Sequence, residues 1–142
     1  MDAHGITTLY GLLAHRASSA PAADCVVEDE LRLDNAEVLR RVQGIARALL
    51  AAGVQRGDRV ATLAPPSIDF WLTYLAATTI GAIWQGLNPK YQRNEYAYLL
   101  ADAQPRVVFV RSPFDERDYL EELAALATHP VQFVRLGAAA LD

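Results

Sequence analysis

The residues that most often announce chemistry in an α/β chain are glycines grouped to cradle a phosphate. Here the eight glycines stand at 5, 11, 44, 53, 57, 81, 86 and 137, so neither G-x-G-x-x-G nor G-x-x-x-x-G-K-[ST] can be written. Gly53 and Gly57 bracket a turn and read as structural. Nucleophiles are no better supplied. Cys25 is the single cysteine, and a lone cysteine in a short apolar run behaves as a small buried hydrophobe. Ser67 stands at a strand-to-helix corner, but Pro65-Pro66-Ser67-Ile68-Asp69 lacks the glycines that flank a nucleophile elbow, and helix capping accounts for it. His4, His15 and His129 fall on a tail, a helix end and a loop before proline, too dispersed for a zinc site or a triad. The acidic run Glu28-Asp29-Glu30 has no further ligand placed beside it and reads as a solvated turn. No catalytic and no metal-ligating residue is assigned from these patterns.

The elements around those residues are organised by the stretch Gly53 to Asn88. An apolar strand from Arg59 to Ala64 must end at Pro65 and Pro66, which have no N–H to give to a ladder. Ser67 then caps a helix over Ile68–Ile80 with Asp69 near its positive end, and Gly81 stops it before a second strand, Ala82 to Leu87. Phe70, Trp71, Leu72, Tyr74, Leu75, Ala76, Ala77 and Ile80 leave that helix almost no polar stripe, so it is buried on most sides. Strand, helix, strand makes a βαβ unit, with parallel strands and cover required on both faces.

The flanking segments follow the same logic. Leu9, Leu12 and Leu13 mark a helix over Thr8–Arg16, and Cys25–Val27 with Leu31–Leu33 form a short hairpin about the acidic run. Asp34 and Glu37 open a long helix whose Val38, Val42, Ile45, Ala46, Leu49 and Leu50 share one face, with Gly53 as its stop. Tyr96, Leu99, Leu100 and Ala103 predict a helix ended by Pro105, and Arg106 to Val110 a third apolar strand. A fourth helix is expected from about Asp115, with Tyr119, Leu120, Leu123 and Leu126 inward, then a strand over Val131–Leu136. The order βαβαβαβ with short joints describes an open, mostly parallel α/β sheet with helices on both faces. A phosphorelay receiver has a similar order but needs an aspartate at the end of its third strand. These strands end in Ala64-Pro65, Leu87-Asn88 and Val110-Arg111, so that reading fails.

Composition narrows the partners. The 142 residues are 52% hydrophobic and 21% charged, a globular balance, and at this length folding removes roughly two-thirds of the unfolded surface from water. The net charge is −4, with acids and bases interleaved; no basic face suggests nucleic acid. No apolar run approaches the length of a membrane span. The first thirty residues lack a basic region followed by an apolar run, so no secretory leader is expected. One cysteine fits a reducing, cytoplasmic setting.

Taken together, Leu33-Asp34-Asn35-Ala36-Glu37-Val38, Ala48-Leu49-Leu50, Gly53-Val54, Arg56-Gly57-Asp58-Arg59-Val60 and Pro66-Ser67-Ile68-Asp69-Phe70 resemble the opening of adenylate-forming enzymes. That group comprises acyl-CoA synthetases, peptide-synthetase adenylation domains and luciferases. The likeness continues through Ile80-Gly81-Ala82-Ile83, Leu87-Asn88-Pro89, Glu95, Tyr98-Leu99-Leu100 and Arg106-Val107-Val108-Phe109-Val110, about residues 8 to 111. It implies that residues 1–142 are an N-terminal subdomain of the large domain of such an enzyme, truncated before the phosphate loop and the C-terminal domain. The whole enzyme would activate a carboxylic acid with ATP and magnesium to an acyl-adenylate and pass it to coenzyme A.

The fragment alone is expected to be inert and to self-associate through apolar surface left open. A complete, non-enzymatic binding or scaffold domain derived from the same fold is the alternative. The Trp84-to-Tyr91 wording, WQGLNPKY, resembles the acyl-CoA synthetase branch and points to a fatty or aryl acid. The family's coenzyme side implies contacts near Lys90, Arg111 and Arg117, all at or beyond strand carboxyl ends. Two departures stand out. Gln92-Arg93 replaces the usual Thr-Pro, a weaker helix start, and Trp84-Gln85-Gly86 replaces a run of small apolar residues, a change that bears on substrate or partner surface.

Overall fold

The computed structural model describes residues 5–137. His4, expected on a tail, and the Ala-rich end beyond Gly137 lie outside them. The elements in chain order are α1 (Leu9–Ser19), β1 (Asp24–Glu28), β2 (Leu31–Asp34), α2 (Asn35–Ala51), β3 (Arg59–Leu63), α3 (Ile68–Thr79), β4 (Ile83–Leu87), α4 (Arg93–Ala103), β5 (Val107–Arg111), α5 (Tyr119–Leu126) and β6 (Gln132–Leu136). From β3 onward strand and helix alternate as the apolar runs and their Pro and Gly stops require.

Strands β3 to β6 form one parallel sheet in the order β4-β3-β5-β6, and β1 pairs antiparallel with β2 in a separate hairpin. Side chains alternate across the sheet. Val60, Val107 and Phe109 face a core shared with α2 and α3, while Ala61, Leu63, Val108 and Val110 face a second core with Tyr96, Leu100 and Leu123 of α4 and α5. Both faces are thus covered, as a parallel sheet demands. No helix among the described residues is long and apolar enough to cross a membrane.

Helix starts are set by side chains that satisfy the free amides of the first turn. The Thr8 hydroxyl accepts from the Gly11 amide at 3.0 Å, the Asp34 carboxylate from Glu37 at 2.8 Å and the Ser67 hydroxyl from Phe70 at 3.3 Å. At the weaker start of α4, Glu95 reaches back to accept from the Gln92 amide at 2.7 Å, so the acid three residues on does the work of the missing Thr-Pro. Helix α2 ends in Gly53 at φ 84, the left-handed residue that a helix stop favours.

Two expectations need correction. Leu50 is 54% exposed: it lies about 100° around the helix from Leu49, and Leu49 takes the core side. The helix expected from Asp115 begins at Tyr119 with Asp118 as its cap, because Asp115 and Glu116 have φ of 51 and 61 and close a tight turn instead. Trp84 is half-buried and packs on α3. Its ring meets Phe70 and Tyr74 edge-on at 4.9 and 5.3 Å, and its indole N–H donates to the Thr62 hydroxyl at 3.1 Å. Thr62 in turn bonds Thr73 of α3 at 2.8 Å. Both threonines are fully buried, and each hydroxyl has a partner. Gly86 makes the space: a Cβ there would lie 2.9 Å from the Trp84 ring and 3.0 Å from Phe70.

Two predictions follow from the start of α2. Asp34→Ala removes its cap and should lower unfolding free energy by about 1 kcal/mol in a urea titration. Glu37 accepts from Arg40 and Arg41 at 2.7 to 2.8 Å, and those bonds hold its carboxyl at about 2 rather than 4.5. A depressed carboxyl stabilises the fold above its unfolded value, and that contribution is lost as pH falls from 4.5 toward 2. Glu37→Gln should therefore flatten this part of the stability–pH curve, read as melting temperature in stepwise acidified buffers.

Candidate functional site

Open α/β sheets bind ligands beyond the strand carboxyl ends, where neighbouring connections leave in opposite directions. In this sheet that point lies between β3, whose helix α3 leads outward to β4, and β5, whose helix α5 leads the other way to β6. Two cavities open there. One, of about 240 Å³, is lined by Pro65 and Pro66 after β3, Pro89 and Lys90 after β4, and Phe114 and Tyr119 after β5. The other, of about 250 Å³, lies between the hairpin turn at Glu28–Leu31 and the start of α3, with Arg111 at its wall.

The second cavity is lined by the carboxylates of Glu28, Asp29, Glu30 and Asp69 and one guanidinium, that of Arg111. Asp69, only 1% exposed, pairs with the Arg111 guanidinium at 2.8 Å, and the Glu28 carboxylate accepts from the Ile68 amide at the positive end of α3. The acidic run therefore has a structural use: its first residue fastens the hairpin to the helix start. The Arg111 Nε is buried without a hydrogen-bond partner among the described residues.

The first cavity carries Lys90, the chain's one lysine. Its side chain is exposed, and no carboxylate among the described residues pairs with it. Its backbone amide donates to the Asn88 side chain at 2.9 Å. Behind this loop sits Arg117. It bonds Glu122 through Nε and a terminal nitrogen, both at 2.8 Å, and its other terminal nitrogen donates to the carbonyls of Tyr91 at 3.2 Å and Pro89 at 3.4 Å. Its guanidinium carbon lies 5.4 Å from the centre of the Tyr96 ring and 4.7 Å from that of Tyr119. The bond from Arg117 holds the Glu122 carboxyl below the ordinary carboxylate range. Burial pushes the Tyr96 phenol well above its own, so it remains an O–H donor at neutral pH.

The structure thus brings Lys90 and Arg117 together at one loop and sets Arg111 on the far side of the β3–β5 crevice. Tyr96, Tyr119 and Glu122 complete this arrangement, and sequence reasoning read the two tyrosines only as inward helix positions. Their hydroxyls reach the carbonyls of Asn88 at 2.7 Å and Pro89 at 3.0 Å, across 8 and 30 residues. An Arg-to-Glu spacing bridging the α5 start was the one local signal. Burial pushes the Cys25 thiol up, which keeps it protonated. Among the described residues no group of acids, histidines and cysteines is placed to hold a metal ion.

The turn at Asp115–Glu116 tests how firmly the cavity wall is held. Two successive non-glycine residues at positive φ cost on the order of 1 kcal/mol each. Paired backbone bonds between Phe114 and Arg117, at 3.1 and 3.0 Å, close the turn over them. Glu116→Gly should raise the chain's unfolding free energy by up to ~1 kcal/mol in denaturant titrations. An unchanged or lowered value would contradict the left-handed geometry.

Comparison with known proteins bears on the fold and the family. The model of the AMP-binding enzyme family matches residues 13–139. A mitochondrial medium-chain acyl-CoA ligase of Danio rerio is 30% identical over 85% of this chain and 23% of its own length. A feruloyl-CoA synthase of Amycolatopsis is 35% identical over 89% of this chain and 24% of its own length. Tyrocidine synthase 3 of Brevibacillus parabrevis, 30% identical, aligns with 74% of this chain and 2% of itself. A solved structure described as a long-chain-fatty-acid CoA ligase from Rhodopseudomonas palustris superposes with a TM-score of 0.84 at 28% identity, over 94% of this chain and 34% of that one. The chain thus spans about a quarter of the two CoA-ligating relatives. With the family pattern matched along nearly its whole length on the sheet described above, this chain belongs to the AMP-binding family of adenylate-forming enzymes.

Proposed function

We propose that residues 1–142 are the N-terminal part of an ATP-dependent acid:CoA ligase that activates a fatty or aryl carboxylic acid as its adenylate and transfers the acyl group to coenzyme A. The observation that carries this reading is the alignment of CoA-ligating relatives across 85% and 89% of the chain. Peptide-synthetase relatives also match, so the choice of acceptor rests in addition on the Trp84–Tyr91 wording. In the whole enzyme ATP and magnesium supply the adenylating chemistry, from residues beyond this portion. The chain by itself is inert.

What these residues contribute is the coenzyme side of the sheet. Lys90 offers an exposed ammonium at the lip of a cavity walled by prolines and two aromatic rings. That combination suits a phosphate beside a planar base. Arg111, paired with the buried Asp69, adds a guanidinium across the crevice, and Arg117 supports the Lys90 loop. An apolar groove between α2 and the β5–β6 face, lined by Ile45, Leu49, Phe109 and Val134, is where the isolated chain self-associates. A reducing cytoplasm suits its single, protonated thiol.

Acid-dependent ATP–pyrophosphate exchange tests the proposal directly. It should be run on this chain and on the longest product of its reading frame, across acetate, medium-chain, long-chain and aryl acids. Exchange by the long form and none by this chain is the expected result. Silence from the long form with every acid would overturn the ligase reading in favour of a binding or scaffold domain, and exchange by this chain alone would overturn its inertness.

A further inference from the structure

The loop that carries Lys90 is tied down at nearly every carbonyl. Tyr96 of α4 holds the carbonyl of Asn88, Tyr119 of α5 that of Pro89, and Arg117 those of Pro89 and Tyr91. The Asn88 side chain fixes the Lys90 amide from within the loop, and the Tyr91 amide donates to the Asn88 carbonyl at 3.0 Å. Arg117 links the two walls of the cavity from behind, alongside the Tyr119 hydroxyl on the Pro89 carbonyl. Its backbone closes the Phe114–Arg117 turn, and its side chain crosses to the neighbouring loop. Four of its five guanidinium N–H groups are engaged: two on Glu122, two on the loop carbonyls. Only a planar fork can bond a carboxylate in parallel, reach two carbonyls from its other arm and lie between two rings; a lysine ammonium in the same place can do one of these at a time.

We propose that Arg117 is a positioning residue: it locks the Asn88–Tyr91 loop to the Phe114–Arg117 turn, presenting Lys90 to the ligand while making no contact with the ligand itself. The role rests on the reading of the cavity at Lys90 as ligand-facing. It gives the two basic residues of this loop different functions: Lys90 binds, Arg117 shapes.

Amide hydrogen exchange on the full chain, followed by two-dimensional NMR, separates shaping from general support. In Arg117→Lys, which keeps the charge and loses the fork, the Lys90 and Tyr91 amides should exchange at least tenfold faster while those of β3 and β5 hold their rates. Tyr119→Phe, which removes one hydroxyl and keeps the ring, should give a smaller acceleration at the same amides and guards against a variant that fails to fold. Titration with coenzyme A as the probe completes the test. Arg117→Lys should weaken binding at least fivefold despite the retained charge, whereas Lys90→Gln should weaken it with exchange unchanged. Unaltered exchange at Lys90 and Tyr91, or acceleration spread evenly over β3 and β5, would overturn the positioning role. Localised acceleration in a chain whose spectrum does not respond to coenzyme A would uphold the lock and overturn the coenzyme reading instead.

Discussion

Strand β3 lies inside the sheet with a parallel partner on each side, and its last four residues are almost wholly withdrawn from water. A strand so placed can satisfy its backbone only through β4 and β5 and its side chains only through layers on both faces. That demand determines the rest. Helix α3 has to be apolar nearly all round because it lies between the sheet and the α1–α2 layer. Helices α4 and α5 have to cross on the opposite side, since right-handed connections running the other way along the sheet place them there. The divergence of those connections at β3 and β5 opens the crevice, with Lys90 at its lip and Arg117 behind the loop that carries it.

Much of this was legible before any coordinates. Pro65-Pro66, Gly81 and Pro105 terminate elements by chemistry that acts within one or two residues, so the limits they set fell within a residue or two of their places. Asp34, Ser67 and Glu95 announced helix starts by the same local means. What could not be read was long-range. The hydroxyl of Tyr119 has its partner thirty residues back, and no periodicity distinguishes a tyrosine that packs from one that packs and also donates. Arg111 and Arg117 looked alike in sequence, each a basic residue past a strand. One proves to be paired with a buried acid, the other to be wedged between rings and bonded to a neighbouring loop.

The one misplaced helix start has a physical origin of the same kind. Asp115 and Glu116 are respectable first-turn residues by charge, and a reading by helix-end electrostatics puts them there. The backbone instead turns left-handed at both, a conformation their own side chains disfavour, and the contacts of Phe114 and Arg117 prevail over that preference. Local preference gives way where the cavity wall is built, which is where a fold most often departs from its own rules.

The Trp84 ring and the missing side chain at Gly86 fit as lock and void on one face of β4. Descent has to treat those two positions as a single character. A lineage that enlarges residue 86 while keeping the indole would pass through a clashing intermediate, and one that trims the indole while keeping glycine would pass through a hollow one that also strands the Thr62–Thr73 pair without its third member. The two positions are therefore coupled through the ring: a side chain at 86 is accommodated only as the indole and Phe70 move aside.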